Sequence, residues 1–85
     1  MSDELRSPIK HHLELHKRDP EWRMARFYSL MVERDLFGAV RLVRTSGRIG
    51  SNGQEMVEMF SNELEAGQAL EALAAVKRRR GYRDL

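Results

Sequence analysis

Arg44-Thr45-Ser46-Gly47-Arg48-Ile49-Gly50-Ser51-Asn52-Gly53-Gln54 places a glycine at every third position from 47 to 53. Glycine at that density disfavours regular structure, because each one carries extra backbone entropy and adopts positive φ freely. The stretch therefore predicts a tight, ordered turn. Strand-like runs at 39–45 and 54–60 flank it and make it a hairpin connection. Arg44 and Arg48 bracket the first glycine, and Arg41 lies three residues before Arg44. Glycines admit close approach of a partner, and guanidinium matches phosphate. Two readings fit: a turn that presents cations, or a turn whose glycines satisfy geometry while its arginines are solvated.

The remaining segments suggest how such a hairpin is buried. Residues 24–33 read as a strong strand, with Tyr28, Leu30 and Val32 on one face and Phe27, Ser29 and Met31 on the other. Bulky residues on both faces point to a central strand. His11 to Lys17 alternates imperfectly and reads as a short, charged edge strand. Residues 18–21 and 35–38 read as turns. Residues 1–10, interrupted by Ser7-Pro8, read as a flexible lead to one domain over 11–85.

One helix is expected over 63–80. Asn62 and Glu65 have capping-box spacing, and Gly81 is a natural left-handed terminator. Ala66, Ala69, Leu70, Leu73 and Val76 form its apolar stripe. The expected fold is α+β: a small antiparallel sheet of three to four strands with one C-terminal helix packed across it. Leu70, Leu73, Val76, Tyr28, Leu30 and Leu42 are expected to be buried together.

Charge is segregated more than the formal +2 suggests. Twelve of the 15 basic residues are arginine, and Lys77-Arg78-Arg79-Arg80-Gly81-Tyr82-Arg83 holds five cations in seven residues. Such a run attracts polyanions. Its plainer reading is a solvated helix end complementing the dipole, although four successive cations exceed what capping needs. With 85 residues, 41% hydrophobic and 33% charged, the chain reads as a small globular domain. No apolar run is long enough to span a bilayer. Met1-Ser2-Asp3-Glu4 is acidic and lacks the apolar core of a signal peptide. The absence of cysteine suggests a reducing, cytoplasmic setting.

Little in the sequence suggests catalysis. No phosphate loop precedes a lysine, no nucleophile elbow occurs, and Ser46, Ser51 and Ser61 have no evident base. The glycine stretch is followed by a strand, unlike a dinucleotide-binding βαβ unit. His12 and His16 share a helical spacing, but a strand reading and the lack of a fixed third ligand argue against a metal site. No enzyme activity, cofactor or small-molecule substrate is expected.

Arg26-Phe27-Tyr28, Leu36-Phe37-Gly38, Val43 through Ser51, Gly53-Gln54 and Lys77 through Asp84 together resemble a bacterial WGR domain, over about residues 13–84. The family is named for a Trp-Gly-Arg triplet and includes a module of the DNA-dependent poly(ADP-ribose) polymerases. The resemblance implies a small antiparallel sheet with one helix on it. It also implies DNA contact by Arg26, Gly47 and Arg48, and by position 46.

Two positions depart from the pattern. Ser46 stands where the family has its signature tryptophan, which in the polymerases packs on a sugar at a DNA break. Arg23 stands where the bacterial pattern usually has asparagine. The resulting expectation is a non-enzymatic module that contacts DNA backbone, ends or nicks. Arg26, Arg41, Arg44 and Arg48 would neutralise phosphates near the glycine turn, and Lys77, Arg78, Arg79 and Arg80 would extend the positive surface. The alternative is a protein–protein interaction module, since WGR domains in the polymerases also bridge neighbouring domains.

Overall fold

The computed structural model describes residues 9–85. Five strands, β1 (Ile9–Asp19), β2 (Met24–Arg34), β3 (Val40–Arg48), β4 (Gln54–Phe60) and β5 (Arg83–Asp84), form a single sheet, with helix α1 (Glu63–Arg79) between the last two in sequence. The spatial order is β4-β3-β2-β1-β5, and the pairings are antiparallel. The α+β architecture and the helix laid across one face are as the sequence implies. No helix among the described residues is long and apolar enough to cross a membrane.

Alternation along β2 sets the two faces. Tyr28, Leu30 and Val32 point at the helix and are buried, with Leu15, Leu42 and Val40 on neighbouring strands. The register explains this: Leu15 pairs with Tyr28, Leu13 with Leu30, and Val32 with Leu42. Directly opposed residues share a face. Asn62 caps α1 by accepting from the Glu65 N–H at 2.8 Å.

The helix contributes Ala66, Leu70 and Ala74 to the core, while Leu73 and Ala69 pack at its margin. The stripe is thus rotated from expectation: Leu73 and Val76 are half-buried, and Gly67 and Ala74 are buried instead. Small residues let the helix approach closely. A Cβ on Gly67 would lie 3.2 Å from the His11 imidazole.

Three boundaries differ from the sequence reading. β3 runs on through Ser46, Gly47 and Arg48, so the turn occupies only 49–53. Gly47 tolerates strand geometry and serves close approach: a Cβ there would meet Gly53 Cα at 2.9 Å. β1 is a full eleven-residue strand, longer than the short edge strand expected, and carries β5 on its outer side at Leu15 and His16. The expected lead over 1–10 lies, for residues 1–8, outside the described residues, while Ile9 and Lys10 already belong to β1.

Candidate nucleic-acid interface

The helix end determines how the cations are arranged. Tyr82 N–H donates to the Lys77 carbonyl at 3.0 Å, and Gly81 N–H donates to the Arg78 carbonyl at 3.0 Å. This is a Schellman closure, with Gly81 at φ 100°. It turns Tyr82 back onto the sheet, edge-on to Tyr28 with ring centroids 6.3 Å apart. Lys77 Nζ lies 4.4 Å from the Tyr28 ring centroid and 5.5 Å from that of Tyr82. Lys17 Nζ, from β1, lies 6.0 Å from the Tyr82 ring. These separations are within reach of cation–π attraction.

More cations converge from the sheet. Arg26 on β2 is the direct partner of Arg48 on β3, Tyr28 of Ser46, and Leu30 of Arg44. Arg26, Arg48, Ser46 and Arg44 therefore share the helix-side face with Tyr28. Lys77 is held below the ordinary lysine value of 10.5, first by burial and then by the charges of Arg80, Arg44 and Arg26. Arg26, Tyr28, Ser46, Gln54, Lys77 and Tyr82 border a cleft of about 290 Å³. Among the described residues, carboxylates are engaged with Arg34, Arg41 and Arg78, and none pairs with Arg26, Arg44, Arg48 or Arg80. The cleft offers cations, hydroxyls and an amide, a donor set suited to a phosphodiester.

The structure does not bring all the sequence-selected residues together. Arg41 lies on the opposite sheet face, paired with the Glu33 carboxylate across the β2–β3 ladder. Residue parity explains this, since 41 and 44 fall on different faces of a strand. Gly47 also lies on that outer face by parity, although its backbone borders the cleft. Arg44 is half-buried; its Nη2 donates to Met56 Sδ at 3.8 Å and its buried Nε has no partner.

Arg78 is tied to Asp84 through two hydrogen bonds, Nε to Oδ1 at 2.8 Å and Nη2 to Oδ2 at 2.7 Å. That contact holds the Asp84 carboxyl below its ordinary value and raises the Arg78 guanidinium further. Arg79 and Arg80 are exposed. Lys17 was missed by sequence reading, although it ends the strand read over His11 to Lys17 and alternation puts it on the face of Leu13 and Leu15. Alternation assigns Tyr28 only to the core, yet its ring is also the floor under Lys77. Among the described residues no group of three or more His, Asp or Glu is placed to hold a metal ion.

The WGR domain family profile matches residues 11–85. The chain is 44% identical over 71 residues to the uncharacterized protein y4dW of Sinorhizobium fredii. That alignment covers 84% of this chain but 35% of the relative, so the chain spans about a third of the relative's length. No solved structure matches it significantly. The family profile covers every strand and the helix apart from the first two residues of β1, and the chain belongs to the WGR domain family.

Proposed function

We propose that the chain is a non-enzymatic nucleic-acid-binding module that grips DNA backbone at ends or nicks through the helix-side cationic face. The observation that carries this reading is the Arg26–Arg48 cross-strand pair. Like charges placed directly opposite each other destabilise a sheet, and here no carboxylate among the described residues relieves them. Lys77, Arg44 and Arg80 add to the same field. Such an arrangement is costly when empty and favourable once a polyanion neutralises it. Binding reads backbone and shape rather than sequence, because among the described residues the single helix lies packed on the sheet and no separate polar recognition helix projects. The reading needs no cofactor or small-molecule substrate, and the cysteine-free composition suits a cytoplasmic setting.

Anisotropy titrations with nicked, blunt, single-stranded and closed duplex DNA across a salt series test the proposal. Affinity that falls steeply with salt and is greatest for ends or nicks is the expected result. No binding to any DNA at low salt would reject it. A protein-interaction role is favoured by one separate feature, the edge strand β4. It leaves Met56, Val57 and Met59 about half exposed at 58%, 48% and 57%, as a strand-pairing partner would require. Binding that ignores salt and DNA form would move the assignment there.

A further inference from the structure

Trp22 is the chain's single tryptophan, and 78% of its surface is exposed. An exposed indole at a hairpin tip has no role in the core. The turn around it is nonetheless well fixed. The Glu21 and Trp22 N–H groups point to Asp19 Oδ1 at 3.1 and 3.4 Å, and Arg23 N–H donates to the Pro20 carbonyl at 3.2 Å. On the neighbouring turn, Ile49 N–H donates to the Ala25 carbonyl at 3.0 Å, extending the ladder past Arg48. The two turns border a half-open cavity of about 410 Å³ lined by Trp22, Arg23, Arg26, Arg48 and Ile49.

Arg26 borders both this cavity and the cleft beneath Lys77. A polynucleotide lying along Arg26 and Arg48 would therefore pass directly beside the indole. Aromatic side chains flanked by guanidinium groups accept unpaired bases, which stack on the ring while the cations hold the phosphates. A base inside a duplex is stacked on both sides, and a blunt end offers only the outer face of its closing pair, held in the duplex, whereas an unpaired base is free to turn onto the ring. A lipid surface fits less well, because one tryptophan surrounded by arginines lacks the broad apolar face of an interfacial segment.

We propose that this cavity is a stacking site for one unpaired base, with Trp22 as the platform and Arg26 and Arg48 holding the adjoining phosphates. The site selects nucleic acid that carries a single-stranded overhang at a duplex end. The proposal rests on the reading of Arg26 and Arg48 as phosphate ligands, and it adds the form of the end that is preferred.

The test uses the full chain, a dye-labelled blunt duplex and the same duplex with a thymidine overhang. Because Trp22 is the only tryptophan, its emission reports this cavity alone. The overhang duplex should quench that emission and bind about fivefold to a hundredfold more tightly than the blunt one. Trp22→Ala should bring the overhang duplex down to the affinity of the blunt duplex, and Trp22→Phe should retain part of the difference. Circular dichroism verifies that both variants fold. Anisotropy that shows binding with unchanged Trp22 emission, or an overhang preference that survives Trp22→Ala, would overturn the stacking site and leave the DNA-binding reading standing. If neither duplex binds, both proposals fall. An emission shift with anionic phosphatidylglycerol vesicles but none with the overhang would overturn the site in favour of a lipid surface.

Discussion

Arg26 and Arg48 oppose each other directly across the β2–β3 ladder, two exposed guanidinium groups on one face of the sheet. Cross-strand like charges cost stability, on the order of 0.2–1 kcal/mol. Replacing one should therefore improve the fold and harm the function. Arg48→Gln is expected to raise the urea midpoint modestly while weakening DNA binding, and to flatten the salt dependence by about one charge. Urea denaturation and a salt titration on the same preparation check both halves. A variant that loses stability and binding together would indicate that Arg48 serves the fold instead.

Arg23 has φ 51°, the one non-glycine residue with positive φ among those described. The left-handed region costs most L-residues about 1–2 kcal/mol, and asparagine is among those that visit it most readily. Asparagine is also the residue that the family resemblance implies at this position. Arg23→Asn should therefore stabilise the domain by about 0.5–1 kcal/mol, comparable to other substitutions that fit such a backbone. Thermal or urea unfolding measures this directly, and an unchanged or lower stability would show that the arginine side chain compensates for the turn.

The basic run at the helix end divides into residues with different roles. Arg78 is held by Asp84, and that contact, with the Leu85 N–H bond to the Glu14 carbonyl at 3.0 Å, keeps the tail on β1. Arg78→Ala should loosen residues 82–85, seen as faster amide exchange there, whereas Arg79→Ala with Arg80→Ala should weaken DNA binding and its salt dependence. Asp84 is depressed below its ordinary value of 3.8 by Arg78, so its contribution is present above that pH and is lost as pH falls through the folded value. The stability gap between the natural chain and Asp84→Asn should accordingly close in acid. A gap independent of pH would assign the effect to packing of the tail.

Alternation and capping made most of the architecture legible in the sequence. Tyr28, Leu30 and Val32 announced β2 and its buried face, and Asn62 and Gly81 marked the helix ends within a residue or so. The phase of the helix was legible in part: Ala66 and Leu70 are buried and Ala69 and Leu73 pack against the core, as the stripe implies, but the burial of Gly67 and Ala74 was not. Gly67 and Ala74 gain burial from close approach to the sheet, a tertiary effect that side-chain hydrophobicity does not encode. Glycine density also made the hairpin turn look longer than it is. Gly47 is a strand residue whose missing side chain makes room for Gly53. β5 has only two residues and depends on the Arg78–Asp84 contact, so no local pattern could reveal it.

Within the candidate site, parity was the overlooked signal. It places Arg44, Ser46 and Arg48 on one face and Arg41 on the other. The convergence of Lys77 and Lys17 on the two tyrosines depends on the Schellman closure and the β1 register, so it emerges only from the folded chain.

Ser46 gives the most informative substitution. It lies on the helix-side face opposite Tyr28 on β2 and Gln54 on β4, and it borders the cleft that holds Lys77. Because Arg48 follows two positions later on the same strand, a side chain at 46 points toward the same partner as Arg48. Ser46→Trp would place an indole among Tyr28, Lys77 and Arg26, where flat apolar area can stack on an exposed sugar or terminal base. That contact is worth about 1–3 kcal/mol, or roughly five- to more than a hundredfold in affinity. A continuous duplex exposes no such face, so the gain should appear with nicked or ended DNA and be absent with closed DNA. Phosphate attraction from Arg26 and Arg48 is common to both substrates and cancels in the comparison. Anisotropy at matched salt separates the two cases. A gain that is equal on both substrates, or absent from both, would mean that position 46 is not directed at a DNA end, and the exposed β4 edge would become the better candidate for the partner surface.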